Sequence, residues 1–198
     1  MSIHCKHNCC KNETNSSYIK WVIEVLGPVI LGSKPCEILN ISAKDALKDD
    51  KLRNINLFFR NCFKISYKFI TMYDGGIRIL FINRSSLSKV LENKKCISFL
   101  EFIGYPSNND VNEYINLLVN KLHSSEFPHE IGIFLGYPLK DVLGFMGYGN
   151  YKFHGTRAWK IYGNPDISYE TYDKFLDHRR KMENLIKLNN LDDLMNII

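Results

Sequence analysis

An α+β fold, with a small antiparallel sheet packed against helices, is what this 198-residue sequence predicts. Three observations carry that reading. Two β-rich runs are joined by Asp74-Gly75-Gly76, several flanking stretches repeat apolar residues at helical spacing, and no internal repeat or low-complexity linker divides the chain. With 45% hydrophobic residues, the chain can bury one sizeable core but hardly two. We therefore read 18–198 as a single α+β domain behind a flexible Cys/His-rich leader, 1–17.

The elements follow in order. "YIKWVIEVLGPVIL" is apolar with a Gly27-Pro28 break, which predicts two short helices meeting at that turn and ending at Gly32. Ser42 and Asp45 open a longer helix to about Asn61, with Leu47, Leu52, Ile55, Phe58, Phe59 and Cys62 along one face. Lys64 to Tyr73 and Ile77 to Ile82 form a hairpin. "SSLSKVLEN", "CISFLEFIGY" and "NNDVNEYINLLVNKLHSS" read as helices. "HEIGIFLGY" reads as a buried strand. A short helix at Leu139 to Phe145, a turn in "MGYGN", a strand-like "AWKIYG" and a final helix from Ser168 to Leu188 complete the chain.

The formal charge of +5 is modest and its lysines and arginines are scattered among acids, which argues against nucleic acid. No apolar run approaches the roughly 20 residues needed to span a bilayer, and the start carries no secretory hydrophobic core, so the expectation is a cytoplasmic protein without a membrane partner. Six cysteines are then expected to be reduced thiols. Cys5, Cys9 and Cys10 lie with two histidines in "HCKHNCC", the only metal-ligating candidates, although adjacent Cys9 and Cys10 lack the spacing of structural zinc sites. No cofactor is expected.

The stretch "FPHEIGIFLGYP" sets His129 and Glu130 ahead of the apolar run. His129 with Asp141 to fix its tautomer would form the general-base half of a nucleophilic triad. Equally, His129 can be a hydrogen-bonded surface residue and Asp141 a helix cap. Lys34 in "GSKP", Tyr137 and Trp159 are candidate substrate-binding residues; Trp159 and Tyr162 alternate on one face of "WKIY", where core packing is the plainer account. His154 and Arg157 are placed at a pocket rim.

"FPHEIGIFLGYPLKDVLGF", then "WKIYGN" and an aromatic-basic final helix, closely resembles DUF3793, a family of small bacterial proteins of unknown function, over roughly Trp21 to Lys181. "HEIGIFLG" also resembles the "HVGIYLG" strand of NlpC/P60 papain-like thiol hydrolases, where the leading histidine is the catalytic base and a cysteine at a helix N-terminus attacks an amide. In the DUF3793 pattern the segment matching "EVLGPVILGSKP" carries a cysteine two residues before the proline. This chain has Leu26 there, and the nearest thiol is Cys36.

The resemblance implies a papain-like thiol hydrolase or acyltransferase acting on an amide or thioester bond of a small-molecule, peptide or carrier-bound acyl substrate. His129 would be base, Asp141 orienter and Cys36 the remaining nucleophile. A non-catalytic binding or scaffolding descendant, with Leu26 filling the nucleophile's place, is the alternative. A metal- or redox-responsive role for the leader is the second alternative.

Overall fold

The computed structural model describes residues 17–194 apart from 109, 125 and 192. The leader with Cys5, Cys9 and Cys10 lies outside the described residues. The elements are α1 (17–25), α2 (Gly27–Ile30), β1 (Cys36–Ile41), α3 (Lys48–Phe59), β2 (Ser66–Thr71), β3 (Ile77–Ile82), α4 (Arg84–Leu91), α5 (Lys94–Phe102), α6 (Val111–Leu122), α7 (Ile131–Phe134), α8 (Leu139–Met146), β4 (Phe153–Thr156), β5 (Lys160–Tyr162) and α9 (Asp166–Leu188). The chain is thus mixed helix and strand with small antiparallel sheets, as its sequence predicts.

The hairpin forms where expected. Met72 N–H donates to Gly76 O at 2.8 Å, Gly76 N–H donates to Asp74 Oδ1 at 2.9 Å, and Gly75 takes φ +78°, a left-handed value that a side chain would strain. A third strand, β1, joins it to give the antiparallel order β1-β3-β2. The central strand, "IRILFI", is apolar on both sides because helices cover both faces of the sheet.

One face packs Ile70, Leu80 and Ile82 against α4 to α8; the other packs Ile79 and Phe81 against α1, α2, α3 and α9. A second, two-stranded ribbon of β4 and β5 lies on α9, where Trp159, Ile161 and Phe175 make a satellite core.

Two expectations are corrected. The helix expected from Ser42 begins at Lys48, because Ser42 Oγ accepts from Lys44 N–H and Asp45 Oδ1 accepts from Leu47 N–H, which turns the chain first. "HEIGIFLGY" is no strand: Ile131 N–H donates to Pro128 O, Ile133 N–H to Glu130 O and Leu135 N–H to Ile131 O, a helical ladder. All four residues of α7 are buried, so the run is apolar throughout and its periodicity cannot separate helix from strand.

Gly27 lets α2 approach α9. A Cβ there would stand 2.8 Å from Met182 Cβ and 3.0 Å from the His178 carbonyl, and backbone cannot yield as a side chain can. Gly27→Ala is expected to destabilise the protein by about 1–3 kcal/mol in urea unfolding.

Candidate active cleft

His129 and Glu130 part company at the turn into α7. Glu130 goes inward, where its Oε1 accepts from Lys121 Nζ at 2.7 Å and from the Tyr105 hydroxyl at 3.1 Å. Burial and the neighbouring carboxylate together hold the Tyr105 hydroxyl well above its usual range. His129 stays exposed, its ring meeting Phe145 edge-on at 5.0 Å. Among the described residues neither of its ring nitrogens has a hydrogen-bond partner.

Asp141, at the first turn of α8, is 2% exposed and its oxygens are fully engaged. Oδ1 accepts from Lys140 Nζ at 2.7 Å and from Tyr162 N–H at 2.8 Å; Oδ2 accepts from Trp159 Nε1 at 2.8 Å and from Ser168 Oγ at 2.7 Å. Lys140 Nζ donates further to Tyr162 O and Ser168 Oγ. Both lone-pair regions of each oxygen are therefore directed at Lys140 on α8, Trp159 and Tyr162 at β5 and Ser168 on α9, and at no imidazole. Asp141 ties three elements together and does not orient His129.

Over this network lies a cleft of about 420 Å³, within the usual range of small-molecule sites. Phe127, Phe145, Tyr137 and Trp159 supply rings, Ile131, Leu135 and Val142 supply aliphatic surface, and His129, Lys160 and Asp141 are the groups that can carry charge near neutral pH. Tyr137 stacks on Trp159 at 4.4 Å and 16°, so the aromatic pair is brought together at the cleft. Burial lifts the Tyr137 hydroxyl to about 12, which leaves it protonated at neutral pH. Gly132 keeps the cleft open, since a Cβ there would meet Val142 Cγ2 at 2.8 Å. Phe127 is steadied by the Arg78 guanidinium 4.9 Å above its ring.

The other expected residues stand elsewhere. Cys36 is 1% exposed at the start of β1, and its desolvated thiol is pushed far up despite the nearby Lys34 cation. Leu26 packs with the core under the other face of the sheet from α7, so it shares no site with His129. Lys34 is buried, paired to Glu37 at 2.7 Å and held 5.7 Å above the Tyr137 ring; it lines no cleft wall and props the stack from behind. His154 is exposed on β4, and Arg157 covers the Tyr169 ring at 4.5 Å. Among the described residues no three of His, Cys, Asp and Glu converge as metal ligands.

Phe127, Phe145, Leu135, Lys160, Lys140 and Ser168 complete the site beyond the sequence-based candidates. Phe127 carried a signal, an aromatic ring two positions before His129, but Phe145 lies on a later helix and Ser168 joins Asp141 across 27 positions, so no local pattern announces either.

The fold and site define an α+β protein built around an aromatic cleft. The chain belongs to the DUF3793 family, described as proteins of unknown function; the family model matches residues 22–195. No curated protein and no solved structure matches the chain.

Removing the carboxylate strands a half-buried cation and three further donors. Asp141→Ala is expected to cost about 3–5 kcal/mol in denaturant unfolding. For Cys36, native-state alkylation with iodoacetamide at neutral pH should be far slower than that of the half-buried Cys62, and His129→Ala should leave the rate unchanged.

Proposed function

We propose that this protein is a non-catalytic binding protein whose aromatic cleft receives a small, ring-bearing apolar molecule carrying one anionic group. The observation that carries this reading is the cleft's chemistry: four aromatic rings and three aliphatic side chains form its body. His129 and Lys160 flank Phe145, Lys160 with its ammonium 5.2 Å from the ring centre. An apolar ring fits the body, and a carboxylate or sulfonate fits beside Lys160.

The same geometry disfavours thiol chemistry. A nucleophile must come within about 3 to 4 Å of its base. Cys36 is enclosed in the core and lines no part of the cleft, and Asp141 has no oxygen to spare for His129. Binding needs none of these groups to react. A cytoplasmic location belongs to this reading: Cys36 and Cys96 are free thiols, and no helix among the described residues is long and apolar enough to cross a membrane.

The test uses 1-anilinonaphthalene-8-sulfonate, an aromatic anion, with the folded full chain. Saturable binding is expected, weakened at least about tenfold by Leu135→Trp, which fills the cleft. Phe145→Ala, at a partly exposed rim residue, should weaken it several-fold with an unchanged melting temperature. Binding that both variants leave intact would overturn the assignment.

A further inference from the structure

Beyond the aromatic cleft, a second and larger groove of about 850 Å³ opens between α4, α5 and the start of α8. Its walls carry Lys89, Lys94, Lys95 and Lys140, and no aspartate or glutamate lines it. Lys140 is neutralised by Asp141. Lys89, Lys94 and Lys95 are exposed, and among the described residues none of them has an ion-pair or hydrogen-bond partner for its ammonium group.

The placement runs against local electrostatics. Lys94 and Lys95 occupy the first turn of α5, which holds no acidic residue, so two cations face the positive end of the helix dipole. Asn93 accepts from the Lys95 and Cys96 N–H groups, which leaves the lysine side chains as the donors available to a ligand. Three like charges around one concavity repel each other unless an anion enters, and a multiply charged anion offsets all three at once. The groove is concave and of small-molecule size, which favours a compact polyanion over a polymer laid along a flat stripe. Phe99 and Tyr151 offer ring surface on its walls.

We propose that this lysine groove is a binding site for a diphosphate group, two phosphates joined by one bridging oxygen, either free or carried by a small organic molecule of the nucleoside diphosphate class. Lys89, Lys94 and Lys95 would hold the two phosphate groups as point charges, and a flat ring would lie against Tyr151 or Phe99.

Titration calorimetry of the full chain at low salt with ADP, inorganic pyrophosphate and AMP tests it. ADP and pyrophosphate are expected to bind, and AMP at least about tenfold more weakly. The double variant Lys94→Gln with Lys95→Gln should weaken ADP binding at least about tenfold with an unchanged melting temperature. Leu135→Trp should leave ADP affinity untouched, which separates this site from the aromatic cleft. Equal affinity for pyrophosphate and ADP supports the site with the free anion as its ligand; tighter ADP binding supports the organic diphosphate. Absence of binding by both, equal affinity of AMP and ADP, equal affinity in the double variant, or capture of single-stranded RNA that ADP does not displace would overturn it.

Discussion

The buried carboxylate of Asp141 is the constraint on which the cleft depends. A charge enclosed at 2% exposure persists only when fully hydrogen-bonded, and four donors from α8, β5 and α9 meet it. Those donors fix where the β4–β5 ribbon sits on α9, and Trp159, anchored through its indole nitrogen, then sets the plane on which Tyr137 stacks. Gly144 lets Tyr162 press onto α8, since a Cβ there would collide with the Tyr162 side chain. The aromatic wall of the cleft is thus a consequence of a polar network behind it. That arrangement pairs the specificity of directed hydrogen bonds with an apolar surface facing the cleft.

The same network explains why the histidine and aspartate, close in sequence, do not work together. The turn at Pro128 to Glu130 sends the Glu130 carboxylate into the core to Lys121 and leaves His129 at the mouth beside Phe145. Twelve residues later Asp141 points toward the ribbon. His129 is a rim residue, able to greet an anion or pack on a ring, whereas Asp141 holds the floor.

The hairpin was legible in the sequence because Asp74-Gly75-Gly76 has chemistry that only a turn uses, and α6 because its apolar residues recur on one face. The strand β1 escaped notice, since "CEILNI" alternates only in part: Cys36 and Ile38 go to one core, Leu39 and Ile41 to the other. The α7 segment misled for a related reason, being enclosed on every side and so apolar at every position. At the site, His129, Asp141, Tyr137 and Trp159 were found as residue types, yet their partnerships were not. Asp141 is joined to Trp159, Tyr162 and Ser168 by contacts spanning 18 to 27 positions, which only the packed ribbon and α9 create. The lysines of the groove look like ordinary solvated charges until the fold draws Lys89 and Lys94 to one concavity.

The central claim is that Asp141 holds the floor of the cleft, and hydrogen exchange of the Trp159 indole N–H, followed by NMR in the wild type and in Asp141→Asn, tests it most directly. A buried pair broken at one partner loses about 3 kcal/mol, which corresponds to about a hundredfold faster exchange at that nitrogen. The central-strand amides of Ile79 to Phe81 should stay protected in both proteins. Equal protection of the indole in wild type and variant would contradict the account, because the ribbon would then be held by packing alone.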